Sequence, residues 1–300
     1  MKRLKRKRKE SVTQAITAPM LVAMIVLLIL AFLIIFVPVF SKYDPDKIDL
    51  MNILQQPSTS HLLGTDNVGR DQFTRLLYGG RTSLLNAFLV VVLAMLLGIP
   101  MGLVSGYYGG KIDALWMRIC DFILAFPVLL LAFVLVIALG RGGYIAVVAI
   151  AIVYTPGISK LARSLIMTEK TKGYVETCRS VSFSDARIIF KHIMPNCIPT
   201  MVAELTLDFS AAIVTLTSLS FLGLGVQPPQ ADWGCMLNES MASVFGNPAL
   251  TIGPAIAIIL VAISLNILSD GIMMYLDPDQ RKVPSFKKYE KRLQRKRRNA

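Results

Sequence analysis

Two acidic residues lie inside an otherwise apolar run of this 300-residue sequence, and their chemistry sets them apart from their neighbours. Glu204 and Asp208 are four residues apart, which places them on one face of a helix. A carboxylate in the middle of a bilayer costs about 2.5–3.5 kcal/mol even on a lenient insertion scale. We therefore expect both side chains to face a bundle interior, a partner subunit or an aqueous path. A structural ion pair near the inner surface and the lining of a translocation path are both compatible with this pattern.

Residue patterns for catalysis are absent from the sequence. It has only two histidines and contains neither a GxSxG nor an HExxH motif, which argues against triad or zinc catalysis. The run 109–111 lacks the upstream glycine spacing of a phosphate-binding loop. Four cysteines show no paired spacing. We expect no catalytic residue, no metal site and no cofactor in this chain, and we expect any energy from ATP to come from a separate subunit.

The elements that position Glu204 and Asp208 are long apolar runs. The sequence is 54% hydrophobic with a mean hydropathy of +0.58, which is too apolar for an ordinary soluble domain. A membrane-spanning helix needs about 20 predominantly apolar residues. Six runs meet this requirement, at 18–40, 84–106, 117–139, 143–166, 199–222 and 248–270.

Charge distribution predicts the orientation of these spans. The net charge is +13, and most Lys and Arg lie in segments 1–17, 160–198 and 277–300. The positive-inside rule then places both termini and the loop between the fourth and fifth spans in the cytoplasm. These clusters abut membrane spans and lack interleaved aromatic residues, which favours anionic lipid headgroups over nucleic acid as their partner.

Individual residues predict contacts within and beside the spans. Gly98, Gly102 and Gly106 recur every four residues, which predicts close packing of the second span against another helix. Asp121 follows Arg118 by three residues, so we expect the two to pair. Trp233 is expected at the membrane interface.

The loop at 168–198 is polar but patterned as two short helices. One apolar side is formed by Tyr174, Val175, Cys178 and Val181, at helical spacing. Ser184 is predicted to cap the second helix, with Asp185 in its first turn. Pro195 is expected to end this helix, and Pro199 to begin the fifth span.

Several runs resemble a known family. The loop segments 174–180 and 187–196 are similar to the cytoplasmic coupling loop of bacterial ABC importer permeases. The match is close to the second, C-type permease of importers for dipeptides, oligopeptides and nickel. The external runs 61–71, 75–84 and 221–234 resemble the same subfamily. One departure is Ser182, where the family usually has glycine.

The resemblance covers residues 18 to about 280 and implies a fold class. The chain is expected to be an all-α integral membrane protein with six transmembrane helices, in the type I ABC importer permease fold with a cytoplasmic coupling helix. Its expected segments are a basic cytoplasmic N-terminus (1–17), a first transmembrane helix (18–40), an external segment with an interfacial helix (41–83), a five-helix permease core (84–276) that includes the coupling loop (168–198), and a basic cytoplasmic tail (277–300).

The function implied is that of a non-catalytic permease subunit that moves di- or oligopeptides by alternating access. The expected partners are a homologous second permease in a heterodimer, two ATPase subunits that bind ATP and Mg, an external solute-binding protein and the lipid bilayer, without nucleic acid. The expected location is the bacterial cytoplasmic membrane.

The same resemblance assigns roles to residues of this chain. ATPase coupling is expected of Tyr174, Val175, Glu176, Thr177, Cys178, Arg179, Ser182, Asp185 and Arg187. Docking of the binding protein is expected of Asp66, Arg70, Asp71, Arg75, Arg81, Gln227 and Trp233, although the external segment could equally be a structural cap on the bundle. The chemistry of the two carboxylates, and not the resemblance, makes Glu204 and Asp208 candidates for the translocation path, with a structural ion pair as the other interpretation.

Two other functions remain open at this stage. The same architecture could import nickel or a metal–metallophore complex, because selectivity lies largely with the binding protein. An ATPase-independent secondary transporter or channel is the alternative from another class. That class favours inverted repeats, which are not evident in the sequence, and it leaves the polar loop unexplained.

Overall fold

The computed structural model describes residues 18–276. Within this range the chain is mostly helical, and its two longest stretches without α-helix are 41–71 and 222–232. In chain order the helices are α1 (Ala18–Ile35), α2 (Val37–Phe40), α3 (Gln72–Tyr108), α4 (Gly110–Leu124), α5 (Val128–Leu139), α6 (Gly143–Glu169), α7 (Gly173–Ser180), α8 (Asp185–Arg187), α9 (Met194–Phe221), α10 (Trp233–Ser240) and α11 (Ala249–Leu276). The predicted terminal segments 1–17 and 277–300 lie outside the described residues.

The predicted spans correspond to helices of sufficient length and apolarity. Five stretches within residues 18–276 could each cross a membrane: α1, α3, α6, the run from α8 through α9, and α11. A sixth crossing is formed if the pair α4 and α5 counts as one span. The multi-pass helical architecture predicted from the sequence is thereby confirmed.

The third predicted span is not one straight helix. Its two halves, α4 and α5, are bent by 92° at a break that contains Pro127. Proline lacks the N–H that would continue the helix and disfavours helical geometry at the residue before it. A single continuous helix over 117–139 was therefore a wrong expectation.

The second span begins earlier than predicted. Asp71 caps α3 by accepting a hydrogen bond from the Thr74 backbone N–H at 2.8 Å, so the helix runs unbroken from the external segment into the membrane. The predicted interfacial helix and the second span are thus one element. Gly109 ends α3 with a positive φ of 69°, a conformation that glycine adopts without strain.

The glycine stripe packs α3 against α6, as predicted. A methyl group on Gly98 would lie 2.8 Å from the carbonyl oxygen of Thr155, and one on Gly106 would lie 2.8 Å from that of Arg163. A methyl group on Gly102 would collide with the carbonyl oxygen of Ser159. The absence of side chains at the three glycines lets the two backbones approach closely.

Helical backbone continues through both prolines that were expected to bound the fifth span. Residues Ile188–Ile193 form a π-helical segment in which the Met194 N–H bonds to the carbonyl of Ile189. Pro195 then stands in the first turn of α9, where a missing N–H is tolerated, and Pro199 lies inside that helix. The expectations that Pro195 ends a helix and that Pro199 begins the fifth span were therefore wrong.

Candidate functional site

The loop between α6 and α9 contains α7, a sharp bend and α8. At the bend Ser182 has a φ of +57°, in the left-handed region. The Ser182 N–H donates to the carbonyl of Arg179 at 2.9 Å and the Phe183 N–H donates to that of Cys178 at 3.1 Å. This pair of bonds is a Schellman motif, whose left-handed position usually holds glycine. Ser182, at which the sequence departs from the pattern of the family it resembles, therefore occupies a position where glycine is favoured.

The inner side of α7 faces the bundle. Val175 is fully buried and Cys178 is 9% exposed. Both belong to an apolar cluster formed by the ends of α3 and α6, the start of α9 and the loop between them. Its other buried members are Leu103, Tyr107, Ala162, Ile166, Ile188, Ile189, Ile193, Cys197 and Met201. Val175 and Cys178 therefore anchor the loop, and their side chains are not available to an external partner in this conformation.

The outer side of α7 is polar and exposed. Glu176, Thr177 and Arg179 all face outward, and the Glu176 carboxylate forms no ion pair with any residue in 18–276. Beyond the bend, the Arg187 guanidinium lies 4.0 Å from the centroid of the Phe183 ring. The loop thus presents polar groups on a base that is fixed by apolar packing.

Tyr174 and Asp185 are held by bonds within the chain. The Tyr174 hydroxyl donates to Glu169 at 2.7 Å and accepts from Asn196 at 3.2 Å. Burial and the bond to Glu169 raise the pKa of Tyr174. Asp185 lies in the first turn of α8, as predicted, and accepts a hydrogen bond from the Tyr107 hydroxyl at 2.7 Å.

Ser184 does not act as the predicted side-chain cap. It occupies the N-cap position of α8, but its hydroxyl forms no capping hydrogen bond. The first turn of α8 is instead tied to the bundle through Asp185.

The external segment contains a buried ion-pair network. Arg70 pairs with Asp66 at 2.6 Å and with Glu239 at 2.8 Å, and Arg75 pairs with the other oxygen of Glu239 at 2.8 Å. Asp66, Arg70, Asp71 and Arg75 are each at most 6% exposed. Their side chains are inaccessible to a docked protein in this conformation, so the geometry favours the cap over the docking role for these four residues.

Glu239 is the member of this network that the sequence reasoning missed. It stands in α10, more than 160 positions from both arginines, and its pairing depends on the tertiary fold. The sequence itself offers only a single acidic residue that lies far along the chain from the charged residues of segment 41–83.

Trp233, another predicted docking residue, is also buried inside the protein. It is 1% exposed, and its indole N–H donates to the carbonyl of Leu76 at 2.8 Å. The expectation that Trp233 anchors at the membrane interface was wrong, because the ring fills the space between α10 and α3. Of the predicted docking residues, only Arg81 and Gln227 retain exposed surface.

Glu204 and Asp208 are half-buried on α9. Neither carboxylate has a hydrogen bond or an ion pair with another residue in the described range 18–276. Asp121 does have a partner, but it is Lys160 at 2.5 Å rather than the predicted Arg118. Within the same range no group of three His, Cys, Asp or Glu side chains could hold a metal ion.

These features define a class of protein. Several apolar helices form a multi-pass membrane bundle, and one polar loop is anchored to it with an outward-facing helix. This chain belongs to the family described as binding-protein-dependent transport system inner membrane component, which it matches over residues 98–282.

Individual relatives agree with this assignment. The chain is 40% identical over 237 residues to the glutathione transport system permease protein GsiD of Pectobacterium atrosepticum, with 79% of each covered. It is 41% identical over 227 residues to the dipeptide transport system permease protein DppC of Alkalihalophilus pseudofirmus, with 76% of this chain and 75% of that protein covered.

A solved structure supports the fold. A chain of the inward-facing MetNI methionine ABC transporter superposes with a TM-score of 0.54 at 16% identity, covering 68% of this chain and 97% of that one. The chain is thus a membrane permease subunit of an ABC importer, and ATP hydrolysis belongs to the partner subunits.

Proposed function

We propose that this subunit imports small peptides across the bacterial cytoplasmic membrane. The relatives named for glutathione and dipeptide transport support peptides over the nickel alternative. Membership of a binding-protein-dependent family likewise disfavours an ATPase-independent transporter or channel. The assembly contains a second, homologous permease as the other half of a heterodimer, two ATPase subunits that bind ATP and Mg, and an external solute-binding protein.

The observation that carries this proposal is that α7 has one side buried against the bundle and another side that is polar and exposed. Val175 and Cys178 fix the helix to the bundle, and Glu176, Thr177 and Arg179 face outward. A helix that is held on one side and polar on the other can receive force from a soluble partner and pass it to the spans. Arg187 and the backbone bend at Ser182 extend the same exposed surface.

The transport cycle follows from this coupling. ATP binding closes the ATPase pair and draws the two coupling loops together, which opens the bundle outward to receive peptide from the binding protein. Hydrolysis and release reverse the movement. Glu204 and Asp208, which lack partners in the described chain, face the path or the second permease. The excess of Lys and Arg in the segments 1–17, 160–198 and 277–300 favours cytoplasmic termini and a cytoplasmic loop.

The test is Glu176→Lys in the complex reconstituted into liposomes. Charge reversal on the exposed side should leave assembly intact and lower both binding-protein-stimulated ATP hydrolysis and dipeptide uptake. Lys111→Glu, a charge reversal at an exposed position in α4 and outside the coupling loop, serves as the control. Unchanged stimulation in Glu176→Lys at equal complex yield would contradict the coupling role.

The substrate is tested separately. Uptake of a labelled dipeptide and of glutathione, compared with uptake of nickel ions in the same liposomes, decides between the two substrate classes. Uptake of nickel without uptake of either peptide would overturn the peptide assignment.

A further inference from the structure

Three segments of the chain meet at one side chain, Tyr107, in the last turn of α3. The residue is 7% exposed and packs in the apolar cluster beneath the loop. Its hydroxyl donates to Asp185, at the start of α8, at 2.7 Å. The guanidinium carbon of Arg179, near the end of α7, lies 5.7 Å from the centroid of the tyrosine ring. One tyrosine of the second span therefore contacts both arms of the coupling loop.

The backbone at the same position is tied to the fourth span. Lys170 follows the last residue of α6, and its ammonium donates to the carbonyl oxygens of Gly106 at 2.8 Å and Tyr107 at 3.3 Å. A lysine is favourable at these positions because the last carbonyls of a helix lack intrahelical partners and carry partial negative charge. The ends of the second and fourth spans and both arms of the loop thus converge on Tyr107.

Apolar packing alone would hold the loop without fixing its direction of movement. Hydrophobic attraction is non-directional, so packed surfaces can slide past one another. A hydrogen bond to a charged acceptor is directional and is weakened by small misalignment. The Tyr107 hydroxyl supplies such a bond to Asp185, in addition to the two bonds that Lys170 donates to the last carbonyls of α3.

We propose that Tyr107 is a positioning residue that couples movement of the cytoplasmic loop to the second span. This inference rests on the proposed function, because it assigns the route by which the displacement of α7 reaches the transmembrane bundle. Asp185, predicted from the sequence as an ATPase contact, acts here as the acceptor on the loop. Removing the hydroxyl of Tyr107 leaves the ring in the apolar cluster and removes the directional bond to Asp185.

The test uses the reconstituted complex with both permeases, the ATPase subunits and the external binding protein, with a labelled dipeptide as probe. Tyr107→Phe should assemble and melt like the wild type, while peptide imported per ATP hydrolysed falls about tenfold, the effect of losing one hydrogen bond to a charged acceptor. Tyr108→Phe is the matched control, because Tyr108 is 56% exposed and its hydroxyl has no hydrogen bond in the described chain. It should transport like the wild type.

A second pair of variants approaches the same bond from the loop. Asp185→Asn keeps an acceptor oxygen and should retain most of the coupling, whereas Asp185→Ala should lose as much as Tyr107→Phe. The double variant Tyr107→Phe with Asp185→Ala should lose no more than either alone, because both remove one interaction. A purely structural role would instead lower the melting temperature and leave the transport ratio of the assembled complex unchanged.

The outcomes separate the two proposals. If the wild-type complex shows no ATP-driven uptake, the proposed function fails and this inference falls with it. If the wild type imports peptide and Tyr107→Phe does so at the same ratio to ATP, only the inference about Tyr107 is overturned. If Tyr107→Phe does not assemble, the two Asp185 variants decide instead. Equal ratios of imported peptide to hydrolysed ATP in Asp185→Ala and Asp185→Asn would overturn the inference about Tyr107.

Discussion

The bend of the coupling loop makes a quantitative prediction for Ser182→Gly. A residue with a Cβ pays about 1–2 kcal/mol in the left-handed region, which glycine avoids. Glycine also gives the unfolded chain more freedom, which offsets about 0.4–1 kcal/mol of that gain. The serine hydroxyl makes no hydrogen bond with the described residues, so no contact is lost. The difference leaves the bend about 0.5–1 kcal/mol more stable in the variant.

Hydrogen exchange measures this local stability directly. The Phe183 amide bonds to the carbonyl of Cys178 at 3.1 Å and is freed only when the bend opens. A gain of 0.5–1 kcal/mol slows its exchange about two- to fivefold in Ser182→Gly. The detergent-solubilised complex provides the sample, with peptides covering the loop followed by mass spectrometry.

Ser184→Gly is the matched control for this experiment. Ser184 has a φ of −65° and an extended backbone, so glycine relieves no strain there. This variant should leave Phe183 exchange unchanged or slightly faster. Equal exchange rates in Ser182→Gly and the wild type would refute the assignment of strain to the bend.

Three further predictions test other parts of the chain. Gly102→Ile should destabilise the subunit by about 3 kcal/mol because the new side chain meets the backbone of α6. Gly157→Ala is the control and should not destabilise it, because the added methyl group lies in open space. Equal melting temperatures of the two variants would contradict the close packing of α3 against α6. Glu239→Gln should lower stability by about 3 kcal/mol because two buried arginines each lose one charged partner and are left to share Asp66. An unchanged melting temperature would contradict the network. Burial raises the pKa of the Cys235 thiol to about 12, so it should react with N-ethylmaleimide in mildly alkaline buffer only after unfolding in SDS; stoichiometric labelling of the native complex would contradict its burial.

Features that depend on helix period and residue size were predictable from the sequence. The spacing of Gly98, Gly102 and Gly106 determines that they share a stripe, and their size determines that the stripe packs closely. Val175 and Cys178 fall on the apolar side of α7 for the same reason. The family pattern also identified Ser182 as the unusual residue in the bend.

Features that depend on partners distant in sequence were not predictable. Trp233 and Glu239 find their partners in α3 and the segment before it, so neither burial nor pairing could be read from neighbouring residues. Asp121 was expected to pair within its own helix, but its ion-pair partner is Lys160 of α6, against which α4 packs. Local spacing shows which pairs are geometrically allowed, and the tertiary fold decides which of them form.

The continuation of helical backbone across Pro195 was not predicted for a different reason. Proline usually ends a helix because it lacks an N–H and its ring clashes with the carbonyl four residues earlier. The π-helical segment before it changes the hydrogen-bond register, so Pro195 falls in the first turn of α9. Ile188, Ile189 and Ile193 are buried along this segment, and no composition rule indicates a wide turn there.

The break between α4 and α5 has a consequence for the surrounding lipid. The 15 residues of α4 extend about 22 Å and the 12 residues of α5 about 18 Å at 1.5 Å per residue. Each of the two helices is shorter than a hydrocarbon layer of about 30 Å. Neither can therefore cross the layer alone without local thinning of the lipid or cover from an adjacent subunit. Import rates should therefore depend on the acyl-chain length of the liposome lipids. The fastest transport cycle is expected where the hydrocarbon thickness differs least from the length of these helices.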